Sequence, residues 1–155
     1  MAPSVTAAGH TVPLFLNGQE QVAESQFEIK SPLTGKTLYT CSNASSKDVT
    51  TAIDTAAEAL KTWRKTTPSR RRDIFLKAAE IMESRREELV NVMMEETGGT
   101  PVWSGLNVTN AIEIIKDVAG RISGIEGMLP PTTDPSVGAM VLKEPYGVVL
   151  AISPW

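Results

Sequence analysis

Val148-Val149-Leu150-Ala151-Ile152 is an apolar run with no polar residue alternating through it. Strands wetted on one face alternate apolar with polar side chains, whereas strands covered on both faces do not, and these belong to the parallel sheets of α/β proteins. The run therefore predicts an α/β fold with this segment as an interior strand. A parallel neighbour has to be reached through a crossover, yet only Ser153, Pro154 and Trp155 follow. Leaving Val148, Val149, Leu150 and Ile152 wet would forgo about 6–12 kcal/mol, at roughly 1.5–3 kcal/mol each. A typical domain has about 5–15 kcal/mol in total. The expectation is a strand that packs on something outside these 155 residues. The alternative is an antiparallel strand laid over the chain's own helices.

Upstream, Glu144-Pro145-Tyr146-Gly147 separates this run from a second strand expected over 137–143, and a Pro-, Thr- and Gly-rich break precedes both. Before the break the periodicity is helical. Ser45 and Asp48 form a capping-box variant ahead of a stripe of Val49, Ala52, Ile53, Ala56, Ala57, Leu60 and Trp63. Thr67 as N-cap with Pro68 behind it starts a second helix, with Ile74, Phe75, Ala78, Ala79 and Met82 inward. Ser84 and Glu87 match a capping box for a third helix that uses Leu89, Val92 and Met93. Gly98-Gly99 ends it. A fourth helix, about Pro101 to Ile125, is expected to bury Leu106, Ala111, Ile115, Val118 and Ile122. The opening is a small β unit: Leu14-Phe15-Leu16 into an Asn17-Gly18 hairpin turn, a strand through Phe27 and Ile29, the turn Ser31-Pro32-Leu33-Thr34-Gly35, and a strand from Thr37 to Cys41.

Composition narrows the partners. A net charge of −3 gives no reason to expect nucleic acid or an anionic membrane. The basic run Arg70-Arg71-Arg72 has Asp73 beside it and reads as a solvated face. Cys41 is the one cysteine, so no internal disulfide forms and a reducing compartment is expected. The first residues lack the basic and apolar regions of a secretory signal, which makes the cytoplasm the expected location. Neither Cys41, in a strand without a neighbouring His, nor the solitary His10 suits a nucleophile, base or metal site. Glu95 and Glu96 close a helix where the macrodipole disfavours negative charge, so a salt bridge to an Arg is expected there.

Pro145-Tyr146-Gly147-Val148-Val149 through Ile152-Ser153-Pro154-Trp155 resembles the first nucleotide-domain strand of the aldehyde dehydrogenase superfamily. Other landmarks fall in the family's order: the Asn17-Gly18 hairpin, Pro32-Leu33-Thr34-Gly35, Ala56-Ala57 before Trp63, Arg71 ahead of Phe75, and Glu95-Glu96-Thr97-Gly98. Trp103-Ser104-Gly105-Leu106-Asn107-Val108 and Ile122-Ser123-Gly124 are similar to the branch acting on vanillin, benzaldehyde or salicylaldehyde. The resemblance implies the N-terminal fragment of that fold. Residues 1–11 would be a disordered tail and 12–126 the N-terminal part of the NAD(P)-binding domain. Residues 127–143 would form the oligomerisation arm, and 144–155 the truncated first strand of the nucleotide-binding sheet.

It also implies thiol catalysis with NAD or NADP, in which a cysteine attacks the aldehyde and a glutamate-activated water releases the acid. The family's nucleophile, base and oxyanion asparagine would all fall after Trp155, so no catalytic residue and no metal ligand is expected here. By the same resemblance Ile152, Ser153, Pro154 and Trp155 line the cofactor cleft, while Leu106 and Asn110 border the substrate tunnel. Read without the resemblance, Leu106 is a core residue and Asn110 a solvated one. Two functions follow. One is an inactive fragment of an aldehyde-oxidising homo-oligomer, with a small-molecule aldehyde as partner. The other is a non-catalytic chain that associates with a full-length homologue. An independent helical interaction module is the plainest third reading, and a cooperative melt of the isolated chain would favour it.

Overall fold

The computed structural model describes residues 10–153. The opening is β throughout: β1 (Thr11–Val12), β2 (Leu14–Leu16), β3 (Gln19–Gln21), β4 (Gln26–Lys30) and β5 (Thr37–Ser42). β2 and β3 make the expected hairpin, with Leu16 opposite Gln19. Asn17 and Gly18 occupy the turn at φ 51° and 74°, the two positive values that a tight right-twisted hairpin needs. β5 is the middle strand of a second sheet, antiparallel to β4 and parallel to β1. Thr11 lies in β1, opposite Thr40, and so belongs to the sheet rather than to the tail expected over 1–11. The rest of that tail falls largely outside the described residues.

Four helices follow: α1 (Ser46–Trp63), α2 (Pro68–Ser84), α3 (Arg86–Thr97) and α4 (Pro101–Arg121), the last running into a 3-10 turn at Ile122–Gly124. Two of their starts, at Ser45 and Thr67, are the local caps expected, and Thr100 supplies a third that the sequence reading did not name. The Asp48 N–H donates to Ser45 Oγ at 3.2 Å while the Ser45 N–H donates to Asp48 Oδ2 at 2.8 Å. The Ser45 hydroxyl, donating to Asp48 Oδ2 at 2.7 Å, and then the Ser45 N–H hold the Asp48 carboxyl below its ordinary range. Thr67 accepts from the Arg70 N–H, and Thr100 from the Trp103 N–H. The expected capping box at Ser84 does not form. Ser84 is still the last residue of α2 and its hydroxyl donates back to the Ile81 carbonyl at 2.8 Å. Only Arg85 separates the two helices, so Ser84 has no extended backbone from which to cap α3.

The core sits between α2, α3 and α4. Ala79, Val108 and Ile112 are enclosed, with Met82, Leu89, Val90 and Ile115 packed around them. On α4 the inward residues are Ser104, Val108, Ile112 and Ala119. The stripe expected from sequence is therefore rotated: Leu106 is 57% exposed and Val118 is 40% exposed. Along α2 the inward residue is Ala79, while Ile74 stays exposed. The stripe on α1 is present, but no α1 residue is buried: the helix packs on β2 and the Asn17-Gly18 turn along its length and on Arg71 at its C-terminus.

After the 3-10 turn the chain is irregular. Met128 and Val141 exchange N–H···O bonds of 3.0 and 2.8 Å, an isolated antiparallel bridge. The strands expected over 137–143 and 148–152 are absent among the described residues, since a strand needs a ladder of pairs and the single Met128–Val141 bridge does not make one. The segment does not lie over the helices either, because Leu150 is 84% and Ile152 85% exposed.

Candidate functional site

Four side chains mark one face of α4. Trp103, Leu106, Asn110 and Ile114 follow at three- and four-residue steps, so they stack along the helix on the side away from Val108 and Ile112. Leu106 and Asn110, the two expected tunnel residues, are both exposed on this face and one turn apart. The core alternative for Leu106 is thereby excluded. Trp103 and Ile114 extend the face, and the sequence reading assigned neither one to the tunnel. The i, i+3, i+7, i+11 spacing was the available signal, hidden by a helix that carries apolar residues nearly all round. At 40% and 61% exposed, these two give the face an apolar character that a solvated helix would not carry.

A cleft of about 230 Å³ opens along the helix layer, lined by Met82, Leu89, Met93, Glu96, Asn107 and Ala111 among others. Leu106 and Asn110 do not line it. Glu96, on its edge, accepts a hydrogen bond from the Tyr39 hydroxyl, which joins β5 to the last turn of α3. The expected arginine partner is thus replaced by a phenol. Tyr39 is buried, and burial pushes the Glu96 carboxyl above the ordinary glutamate value. The wall is apolar, and a carboxylate there loses hydration that one hydroxyl only partly restores.

The other candidates scatter. Ile152 and Ser153 lie on the exposed C-terminal segment, and Pro154 and Trp155 fall outside the described residues. An exposed extended segment is not the concave surface that a dinucleotide needs, so Ile152 and Ser153 do not by themselves cradle one. Cys41 sits in β5 opposite Val12 and Phe27, and burial pushes its thiol up, away from the thiolate that a nucleophile requires. Among the described residues no group of three His, Cys, Asp or Glu could hold a metal ion, and no helix is long and apolar enough to cross a membrane. The basic run is not simply solvated. Arg71 Nη2 donates to the Trp63 and Arg64 carbonyls at 3.3 and 3.2 Å, closing the C-terminus of α1, and its guanidinium stacks 5.7 Å from the Trp63 ring.

Comparison with known proteins decides what this assembly is. The aldehyde dehydrogenase family pattern matches residues 19–155. The chain belongs to the aldehyde dehydrogenase family. Vanillin dehydrogenase of Pseudomonas sp. (strain HR199 / DSM 7063) is 36% identical over 146 residues, which is 93% of this chain and 30% of that protein. Salicylaldehyde dehydrogenase of Pseudomonas putida is 33% identical over 144 residues, 92% of this chain and 30% of the relative. The crystal structure of a salicylaldehyde dehydrogenase from Pseudomonas putida, complexed with salicylaldehyde, superposes with a TM-score of 0.83 at 31% identity, covering 87% of this chain and 28% of that one. The chain therefore spans about 30% of the length of the curated relatives it matches. It corresponds to the N-terminal portion of their α/β fold.

Proposed function

We propose that this chain supplies the α4 wall of the substrate passage and one strand of the nucleotide-binding sheet to an NAD- or NADP-dependent oxidation of an aromatic aldehyde to its carboxylic acid. The exposed face of Trp103, Leu106, Asn110 and Ile114 carries the reading. A flat ring and two branched aliphatic chains offer surface for an aromatic body, and Asn110 offers one polar contact. Relatives named for salicylaldehyde, vanillin and benzaldehyde support it. The dinucleotide, when bound, takes the hydride. In this reading Ile152, Ser153, Pro154 and Trp155 border its cleft once the segment is paired in a sheet, and 127–143 pairs with another subunit. Cys41 is unsuited to the thiol step, so these 155 residues taken alone do not oxidise aldehyde.

A chimera tests this directly: residues 13–155 replace the matching portion of the salicylaldehyde dehydrogenase of Pseudomonas putida, and NADH formation is followed. The 155-residue chain alone should give none, and the chimera should oxidise benzaldehyde. In the chimera, Leu106→Ala should raise KM for benzaldehyde by about tenfold, the cost of removing a few methylenes from an apolar wall. Turnover by the chain alone, or an unchanged KM, overturns the reading.

The exposed apolar residues of 137–152 favour a second reading, in which the chain docks without catalysing onto a full-length relative. Co-expression with such a relative should then yield a co-purifying complex, and separate elution counts against it.

A further inference from the structure

Two successive glycines join α3 to α4, and they are glycine for different reasons. Gly98 closes α3 in the left-handed region at φ 72°, its N–H donating to the Met94 carbonyl at 2.9 Å, so the backbone demands it. Gly99 is not among the residues with positive φ, so an alanine backbone fits there. The obstacle is a side chain. A Cβ on Gly99 would stand 2.6 Å from Cε3 of Trp103 and 3.0 Å from Oγ of Ser104. Carbon atoms pack at about 3.5–4.0 Å, so something has to move by roughly an ångström. The buried Ser104 hydroxyl, at 3.0 Å, has only a little to give, whereas the Trp103 ring, at 2.6 Å and 40% exposed, has to shift further. The first turn of α4 is itself anchored, because Thr100 caps it through the Trp103 N–H and the Gly99 N–H donates to Thr97 Oγ1 at 3.2 Å.

We propose that Gly99 is a positioning residue for the α4 face: the side chain it lacks lets the Trp103 indole lie across the turn, and this sets the opening at the N-terminal end of that face for flat aromatic aldehydes. The seating of the ring stands on geometry alone. The role in selecting substrate rests on the reading of the face as a substrate wall. Gly105, on the same helix, is a natural control, because a Cβ there meets nothing within 4 Å.

The seating is tested in the full chain labelled with 5-fluorotryptophan, with the Trp103 fluorine resonance assigned through Trp103→Phe. Gly99→Ala should move that resonance and Gly105→Ala should leave it in place. An unmoved resonance in a folded Gly99→Ala chain overturns the proposal. If Gly99→Ala melts too early for the spectrum, Trp103→Ala in the same chain should restore the melting midpoint. An equal loss with and without the ring overturns it too. Substrate selection is read in the chimera, where Gly99→Ala should lower kcat/KM for benzaldehyde about tenfold more than for acetaldehyde, the scale of a pocket's shape discrimination. Equal losses on both aldehydes overturn the selective role. A parent chimera inactive on every aldehyde sinks the substrate-wall reading instead, and leaves the fluorine result to stand by itself.

Discussion

The C-terminal segment is richer in apolar residues than the helix layer, yet the helix layer is enclosed and the segment is not. Ile112 has no exposed surface, while Ile152 shows 85% of its own. The contrast teaches that an apolar run specifies only a demand for cover. α2, α3 and α4 satisfy each other because short turns return them side by side. The segment 137–153 has no such neighbour within the described residues: apart from the Met128–Val141 bridge its backbone forms no ladder, and its large side chains stay wet.

The comparison breaks first where burial is greatest. Ile112→Ala should cost about 2–5 kcal/mol, the range for emptying a buried aliphatic site, and with so small a core the chemical melt should lose its cooperativity. A change under ~1 kcal/mol would show that the helix layer is no better packed than the segment. Next comes the Tyr39–Glu96 bond between β5 and α3. Burial holds the Glu96 carboxyl above its ordinary value, so the folded state keeps the proton longer than the unfolded chain does. That contribution is fully present at acid pH and is lost as pH rises from the ordinary glutamate range through the raised folded value. Glu96→Gln keeps an oxygen for the Tyr39 hydroxyl and has no proton to lose. The melting midpoint of the variant should fall less between pH 4 and neutrality, about the span in which glutamates titrate. An unchanged pH profile would remove Glu96 from the account. Smallest is the effect on the segment itself. Leu150→Ser and Ile152→Ser should each change stability by less than ~0.5 kcal/mol, as at open surface positions, while solubility improves. A loss like that of Ile112→Ala would mean that the segment is covered after all.

Local signals carried most of the fold. The caps at Ser45, Thr67 and Thr100, the Asn17-Gly18 turn and the Gly98 stop depend on residues within a few positions of one another, and all are readable in one dimension. The orientation of α4 was not. Apolar residues surround that helix, so its periodicity does not single out one face. Contact with α2 and α3 selects the side that carries Ser104, Val108, Ile112 and Ala119. The partner of Glu96 was equally hidden, because Tyr39 lies 57 residues away and reaches it only after the sheet has formed. Leu106 and Asn110 are legible as a pair because four residues on a helix share a face. The cofactor candidates Ile152 and Ser153 are not gathered into a site by this chain alone, since a strand-end cleft requires a sheet on both sides.

The three-stranded sheet has two outer rims, and neither invites company. β1 is a stub of two residues against β5. β4 presents Glu28 and Lys30, paired at 3.2 Å, along the other rim. Short and charged borders of this kind discourage stray strands from zipping on. Any clumping of the polypeptide on warming should therefore begin at its greasy C-terminal end and leave the β-sheet rims out of the contact.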